Sequence, residues 1–196
     1  MKSYLSISKE IRYDINVVLQ PKEDGSLIRS EWSRKQLFYK FGTKNQMLGE
    51  DNPIFGPAIQ LIRETYQEDL SKIFIDNKFD HVTCFFEFFG PNSFAGWHDS
   101  NDKKEVILFD INLFKQGLIS AKDFYKLVGH LKIPEILYEG KFNKIIEEQI
   151  RDGSFPGISF EGIIAKGPID RKTKLPIMFK VKTRAWLDKL KNKCKN

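Results

Sequence analysis

Single charged residues set inside apolar, strand-like runs are the feature that most restricts this chain. Glu87 interrupts "CFFEFF", Asp110 follows "VILF", Glu161 and Lys166 bracket "GIIA", and Lys180 and Lys182 flank Val181 after "PIMF". Side chains of a strand alternate between its two faces. Met178, Lys180 and Lys182 therefore share one face, with Ile177, Phe179 and Val181 on the other. Glu87 falls with Phe85 and Phe89, leaving Phe86 and Phe88 to pack on the opposite side. Each charge has an ordinary explanation: a strand glutamate usually meets solvent or a salt bridge, and a Lys-x-Lys strand guards a wet edge. The series Lys22, Asp24, Glu87, Asp110, Glu161, Lys166, Lys180 and Lys182 mixes acids and bases on strands otherwise fit for burial. A buried charge is costly unless paired or liganded, so the series points to a shared polar cleft.

The elements around these charges are intermixed. Tyr13, Ile15, Val17 and Leu19 alternate as in a strand, and "GSLIRSEW" and "KQLFYKFG" read as two more. Asp24-Gly25 between the first two is the usual signature of a hairpin turn. Residues 54–74 carry Ile59, Ile62, Tyr66, Leu70 and Ile73 at helical spacing, with Pro57 fit to open the helix. "VTCFFEFFG" and "EVILFDI" read as buried strands. Ser120 is an N-cap for "AKDFYKLVGHL", and "FNKIIEEQIRDG" is a helix closed by Gly153. "GISFEGIIAKG" and "LPIMFKVKT" are further strands, and "RAWLDKLKNK" a short basic helix. Without a regular βαβ rhythm, the expectation is an α+β fold with mainly antiparallel sheets.

The charge is lopsided. Arg171–Asn196 holds ten Lys or Arg and one acid, a balance of +9 against +6 for the whole chain, so residues 1–170 sum to −3. A segment that basic suits a polyanion, although a lysine-rich tail is more often merely solvated. Cys84 and Cys194 have no metal spacing, and two cysteines in 196 residues fit a reducing compartment, the cytoplasm. No apolar run reaches membrane-span or signal-peptide length. His81, His98 and His130 are scattered and suggest no zinc; each is a weak candidate for a direct role, with His98 in "GWHDS" ahead of the other two.

"KEDG" at 22–25, "FFEFFG" at 85–90, "LFDI" at 108–111, "EGIIAK" at 161–166 and "KVKTRAWL" at 180–187 occur in order. Together they resemble the collinear motifs of covalent nucleotidyltransferases, the ATP-dependent RNA and DNA ligases and mRNA capping enzymes. "KEDGSL" and "FKVKTRAWL" are most similar to phage-type RNA ligases. The resemblance implies antiparallel sheets with flanking helices around an ATP cleft, in an adenylyltransferase domain. Such enzymes usually append a further domain, but only about ten residues follow the last motif here, so the expectation is a single domain over residues 1–196 without a separate C-terminal nucleic-acid-binding domain. It also implies a reaction: a lysine attacks the α-phosphate of ATP, the AMP passes to a polynucleotide 5′-phosphate, and a 3′-hydroxyl then seals the strand.

By position, Lys22 resembles the nucleophile, with Asp24 and Gly25 shaping its turn and Gln20, Pro21 and Ser26 in the nucleotide-binding set. Glu87 resembles the acid that binds ribose or orients the nucleophile. Phe109 resembles the adenine-stacking aromatic, with Asp110 beside it. Glu161 resembles the metal-associated glutamate, with Lys166 nearby, and Lys180 and Lys182 the pair holding the α-phosphate. Lys44 in "GTKNQ" is the candidate for a further basic residue, with Lys40 its rival. A free lysine, of pKa ~10.4, is a poor nucleophile at neutral pH; neighbouring cations and partial burial correct that. Mg²⁺ keeps several waters, so one or two carboxylates such as Glu161 suffice for it.

Many DNA ligases and capping enzymes carry a basic residue where this chain has Leu27, which leaves phosphate or ribose contacts to Ser26, Arg29 or Arg34. RNA ends are thus favoured over DNA ends. Trp186 with Lys182, Arg184, Lys189 and Lys191 forms either a small strand-binding surface or merely the anchor of the last helix; otherwise a partner protein supplies the grip. Other readings are a minimal DNA ligase, a 5′-end adenylylating enzyme, a non-catalytic nucleotide- or RNA-binding module, and a basic RNA-binding domain with no nucleotide pocket.

Overall fold

The computed structural model describes residues 1–90 and 103–193. In chain order the elements are β1 (Asn16–Pro21), β2 (Ser26–Ser33), β3 (Leu37–Gly42), β4 (Met47–Leu48), α1 (Gly56–Asp76), β5 (His81–Phe89), β6 (Glu105–Leu113), β7 (Gly117–Leu118), α2 (Ala121–Val128), β8 (Tyr138–Lys141), α3 (Lys144–Asp152), β9 (Gly162–Ile169), β10 (Pro176–Lys182) and α4 (Arg184–Lys193). They sort into two compact units, one of Met1–Leu5 and Gly25–Ile133, the other of Ser6–Asp24 and the chain from Pro134 onward. Among the described residues no helix is long and apolar enough to cross a membrane.

The first unit is a six-stranded antiparallel sheet in the order β4-β3-β2-β5-β6-β7, with α1 and α2. Its core follows from the alternation in "CFFEFF": Phe86 and Phe88 join Ile28, Trp32, Leu108 and the α1 residues Ile59, Ile62, Tyr66, Leu70 and Phe74. Phe74 rather than Ile73 is the fully buried residue at the last α1 turn. Pro57 stands in the first turn of α1, where its missing N–H is no loss. The two polar tips in this core are satisfied. Trp32 Nε1 donates to Ser71 Oγ at 2.9 Å, and the Tyr66 hydroxyl donates to the Lys132 carbonyl at 2.7 Å. Ser120 caps α2 as its sequence announces, accepting from the Asp123 N–H at 3.1 Å.

The second unit is a four-stranded antiparallel sheet in the order β10-β9-β1-β8, with α3 and α4. Asn143 caps α3 by accepting from Ile146 N–H at 3.0 Å, and Gly153 ends it in the left-handed conformation at φ 86°. The core gathers Val17, Leu19, Phe142, Ile146, Ile150, Ile163, Ala165, Phe179 and Val181.

Three sequence expectations shift. The strand alternation from Tyr13 becomes a strand only at Asn16, because Asp14 at φ 60° breaks the extended run. The stretch from Gly157 to Glu161 is a turn rather than the start of β9. Asp24-Gly25 is no hairpin: β1 and β2 belong to different sheets, and the bend carries the chain from the second unit into the first. Strands β4, β7 and β8 are too short to leave a period in the sequence.

Candidate active site

Strand register assembles the lysines of the second unit. β9 lies between β1 and β10, with Val18 opposite Lys166 and Gln20 opposite Ile164 on one side, and Met178 opposite Lys166, Lys180 opposite Ile164 and Lys182 opposite Gly162 on the other. Residues directly opposite in an antiparallel pair share a face. Lys166, Lys180, Lys182 and Gln20 therefore share the face that the apolar core does not use. Lys22, one step beyond Pro21, joins them, its N–H donating to the Gly162 carbonyl at 3.0 Å. Lys166 and Gln20 are both buried.

Glu161 is the hub. Its side chain is 3% exposed; Oε2 accepts from Lys22 Nζ at 2.8 Å and Oε1 from Lys182 Nζ at 2.7 Å. The Lys22 ammonium also reaches the Glu23 carbonyl at 3.3 Å. Lys182 lies 3.4 Å from the centroid of the Trp186 ring, and Trp186 Nε1 donates to Asp24 Oδ2 at 3.2 Å. Lys182 is thus held between a carboxylate and an indole face. Burial, then the charges of Lys182 and Lys22, push the Lys180 ammonium below its ordinary value of 10.5, against the opposing pull of Glu161.

Local chemistry explains why Glu161 stands there. Gly162 adopts φ 132°, and a Cβ at that position would lie 2.1 Å from the Val181 carbonyl oxygen, so only glycine can follow the glutamate. Ser159 Oγ donates to the Lys22 carbonyl and accepts from the Gly162 N–H at 3.3 Å. Thr183 N–H donates to the Glu161 carbonyl at 3.1 Å, and its hydroxyl donates to the Phe160 carbonyl at 2.8 Å and accepts from Trp186 N–H at 3.1 Å. That threonine caps α4 and pins the turn carrying Glu161 in one stroke.

The remaining sequence candidates belong to the first unit. Asp110, 2% exposed, accepts from the Tyr4 hydroxyl at 2.8 Å and from Ile111 N–H at 3.1 Å. The Tyr4 ring centroid stands 4.8 Å from that of Phe85 and 5.1 Å from that of Phe109, edge-on to the latter. Burial, then the charge and hydrogen bond of Asp110, raise the Tyr4 hydroxyl well above its usual range, with Glu87 adding to the effect. Glu87 is half-buried between Leu27 of β2 and Ile107 of β6. Gly25 has no room for a side chain, since a Cβ would sit 2.5 Å from the Phe88 carbonyl oxygen, and Ser26 opens β2 opposite Phe88. Lys44 is exposed in the turn between β3 and β4, while Lys40 pairs with Glu31 at 3.7 Å.

Arg29 corrects an expectation. It is 6% exposed, and its guanidinium donates to the Thr43 carbonyl at 2.8 Å and to the Lys2 carbonyl and Ser3 Oγ at 3.2 Å each. Those bonds make it a tether for the first residues rather than a phosphate ligand. Arg34 is engaged with Asp80 at 3.8 Å. His98 and Cys194 lie outside the described residues.

Sequence reasoning missed Tyr4, Lys9, Ser159 and Thr183. Lys9 follows Ser8, which bridges β10 at Phe179 and accepts from Lys180 N–H at 3.1 Å; the Lys9 charge adds to the crowding at Lys180. A threonine ahead of "RAWL" was a readable cap signal; the other three act through long-range contacts that no local pattern records. Among the described residues no group of three or more His, Cys, Asp or Glu could hold a metal. Glu161 offers two carboxylate oxygens, each accepting from a lysine in this structure; one carboxylate is a donor that a hard ion completing its shell with water and phosphate oxygens can use.

No protein-family model and no curated protein sequence matches this chain. Solved structures do. A lysine-to-alanine variant of the Naegleria gruberi RNA ligase with ATP and Mn superposes at a TM-score of 0.67 and 17% identity, over 91% of this chain and 52% of that one. A glutamate-to-alanine variant with AMP and Mn gives 0.69 and 16%, over 96% and 59%. The same ligase with pyrophosphate gives 0.67 and 16%, over 92% and 53%. The chain thus spans little more than half the length of the structures it matches. On that likeness, this is an α+β chain that shares the fold of these Naegleria gruberi RNA ligase structures.

Proposed function

We propose that the chain is the adenylyltransferase of an ATP-dependent RNA ligase, with Lys22 the group that takes AMP. The observation that carries this reading is the single carboxylate of Glu161 gripping both Lys22 and Lys182 while Lys180 crowds the same face.

In the reaction we propose, the Lys22 amine attacks the α-phosphorus of ATP. An N–P bond forms, the bond from the α-phosphorus to the bridging oxygen breaks, and pyrophosphate leaves with the electron pair. The proton Lys22 must lose lies on a hydrogen bond to Glu161 Oε2, the base within reach. Lys180 and Lys182 favour the neutral amine by repulsion and stabilise charge on the transferring phosphoryl oxygens. A magnesium ion held by Glu161, when bound, would add charge neutralisation at the phosphates. AMP then passes to a 5′-phosphate, and a 3′-hydroxyl displaces it to join the ends. RNA is the favoured polynucleotide, ATP the favoured nucleotide, and the reducing cytoplasm the setting that two cysteines fit.

The test is incubation with α-labelled ATP, or separately GTP, and Mg²⁺. Wild type is expected to carry an acid-labile, alkali-stable AMP adduct that Lys22→Ala lacks. Label persisting on Lys22→Ala overturns the nucleophile, and no label with either nucleotide favours a non-catalytic binding module.

A further inference from the structure

Trp186 was the aromatic that sequence offered for stacking on a nucleic-acid strand, and its surroundings rule it out. It is 6% exposed, and its Nε1 donates to Asp24. A different aromatic of the same unit has the exposure. Phe160 is 51% exposed, one residue before Glu161, and its carbonyl is held by the Thr183 hydroxyl. The ammonium of Lys189, from α4, stands 5.3 Å from the centroid of the Phe160 ring. On the same helix Arg184 pairs with Glu148 and Lys191 with Asp188. Lys189 is an α4 cation placed against an aromatic face.

A ring with a cation at its face matches one nucleotide, the base stacking on the ring and the phosphate meeting the ammonium. Charge complementarity favours a nucleic acid over an apolar partner, since Arg171–Asn196 carries ten Lys or Arg and a single acid. We propose that Phe160 and Lys189 form a one-nucleotide platform that receives the 5′-phosphorylated end of single-stranded RNA next to the turn bearing Glu161. The assignment to the 5′ end rests on Lys22 being the site of AMP transfer; the platform itself does not.

The experiment measures binding of a fluorescently labelled, 5′-phosphorylated RNA 12-mer to wild type, Phe160→Ala, Phe160→Leu and Lys189→Ala across a salt series. Loss of one stacked base is expected to weaken binding about tenfold or more in Phe160→Ala. Phe160→Leu, which keeps apolar area without a π face, should lose most of that affinity too. Lys189→Ala should reduce the slope of log affinity against log salt by about one. Equal RNA affinity in wild type and Phe160→Ala overturns the platform. Equal affinity of wild type for a DNA 12-mer of the same sequence overturns the choice of RNA, and equal affinity for an RNA lacking its 5′-phosphate overturns the placement of the end. Adduct formation from labelled ATP, run on the same proteins, separates the two ideas. Wild type without adduct but with Phe160-dependent RNA binding sinks the Lys22 reading and leaves the platform standing.

Discussion

The second unit buries two glutamates among cations, and they teach opposite lessons. Glu147, on α3, has a side chain 6% exposed and is served by Lys144 at 3.0 Å and Arg151 at 2.8 Å, both from its own helix. The Tyr13 hydroxyl donates to it at 2.5 Å. Lys144, 72% exposed, keeps most of its hydration. Glu161 draws its two lysines from the end of β1 and from β10; each is 21% exposed, and Lys180 adds a further positive charge. The first cluster is complete, with every charge answered by a neighbour or by water. The second gathers Lys22, Lys180 and Lys182 on one face around a single carboxylate, an arrangement that a polyphosphate would complement.

The sharpest way to break this contrast is to remove one cation from each. Lys182→Met is expected to slow AMP-adduct formation about 100- to 1000-fold, the scale of one lost phosphoryl-stabilising donor. Lys144→Met should leave that rate within about twofold. Single-turnover labelling decides, and equal effects would erase the distinction. Next comes stability. Glu147→Gln is expected to cost about 2–3 kcal/mol in urea unfolding, because it leaves the Tyr13 hydroxyl and two cations short of an anion. The folded variant should still form adduct.

A smaller effect follows from acid. Burial alone would raise the Glu147 carboxyl, but the bonds from Tyr13, Arg151 and Lys144 win and hold it at about 2, below its ordinary 4.5. A carboxyl lowered by folding contributes stability that is fully present above pH 4.5 and is lost as pH falls toward 2. The contribution, discounted for solvent screening, is roughly 2 kcal/mol. Unfolding curves of wild type and Glu147→Gln should converge across that window; parallel curves would refute it. Smallest is a proton. Because burial and like charges hold Lys180 below 10.5, binding pyrophosphate should raise it again and take up protons as the pH is brought up toward that ordinary value. Calorimetry in buffers of different ionisation enthalpy would show that uptake, and it should shrink in Lys180→Met.

What could be read from the sequence was local or periodic. Ser120, Asn143 and Gly153 punctuate their helices where caps are expected, and the alternation in "PIMFKVK" put Phe179 and Val181 in the core and the lysines opposite. The meeting of Lys22, Glu161, Lys180 and Lys182 was legible only as an ordered series of motifs, because β9 sits between strands distant in sequence. Tyr4 against Asp110 and Phe109 had no local signal at all. The Asp24-Gly25 bend misled because a hairpin and a crossing between sheets use the same permissive residues. Trp186 stayed open in the sequence because an indole near lysines looks alike whether it greets a base or anchors a helix.

The split ancestry of the second unit bears on how the protein is made. β1 leaves the ribosome early, yet Asn16 is paired with Lys141 and Val18 with Lys166. The stretch Gly25–Ile133, which with Met1–Leu5 makes one compact unit, can collapse while β1 waits. A nascent chain stalled before β9 is translated would therefore hold Lys22 without the Glu161 carboxylate it pairs with in the folded protein, and on the proposed reaction should form no adduct until the far strands arrive.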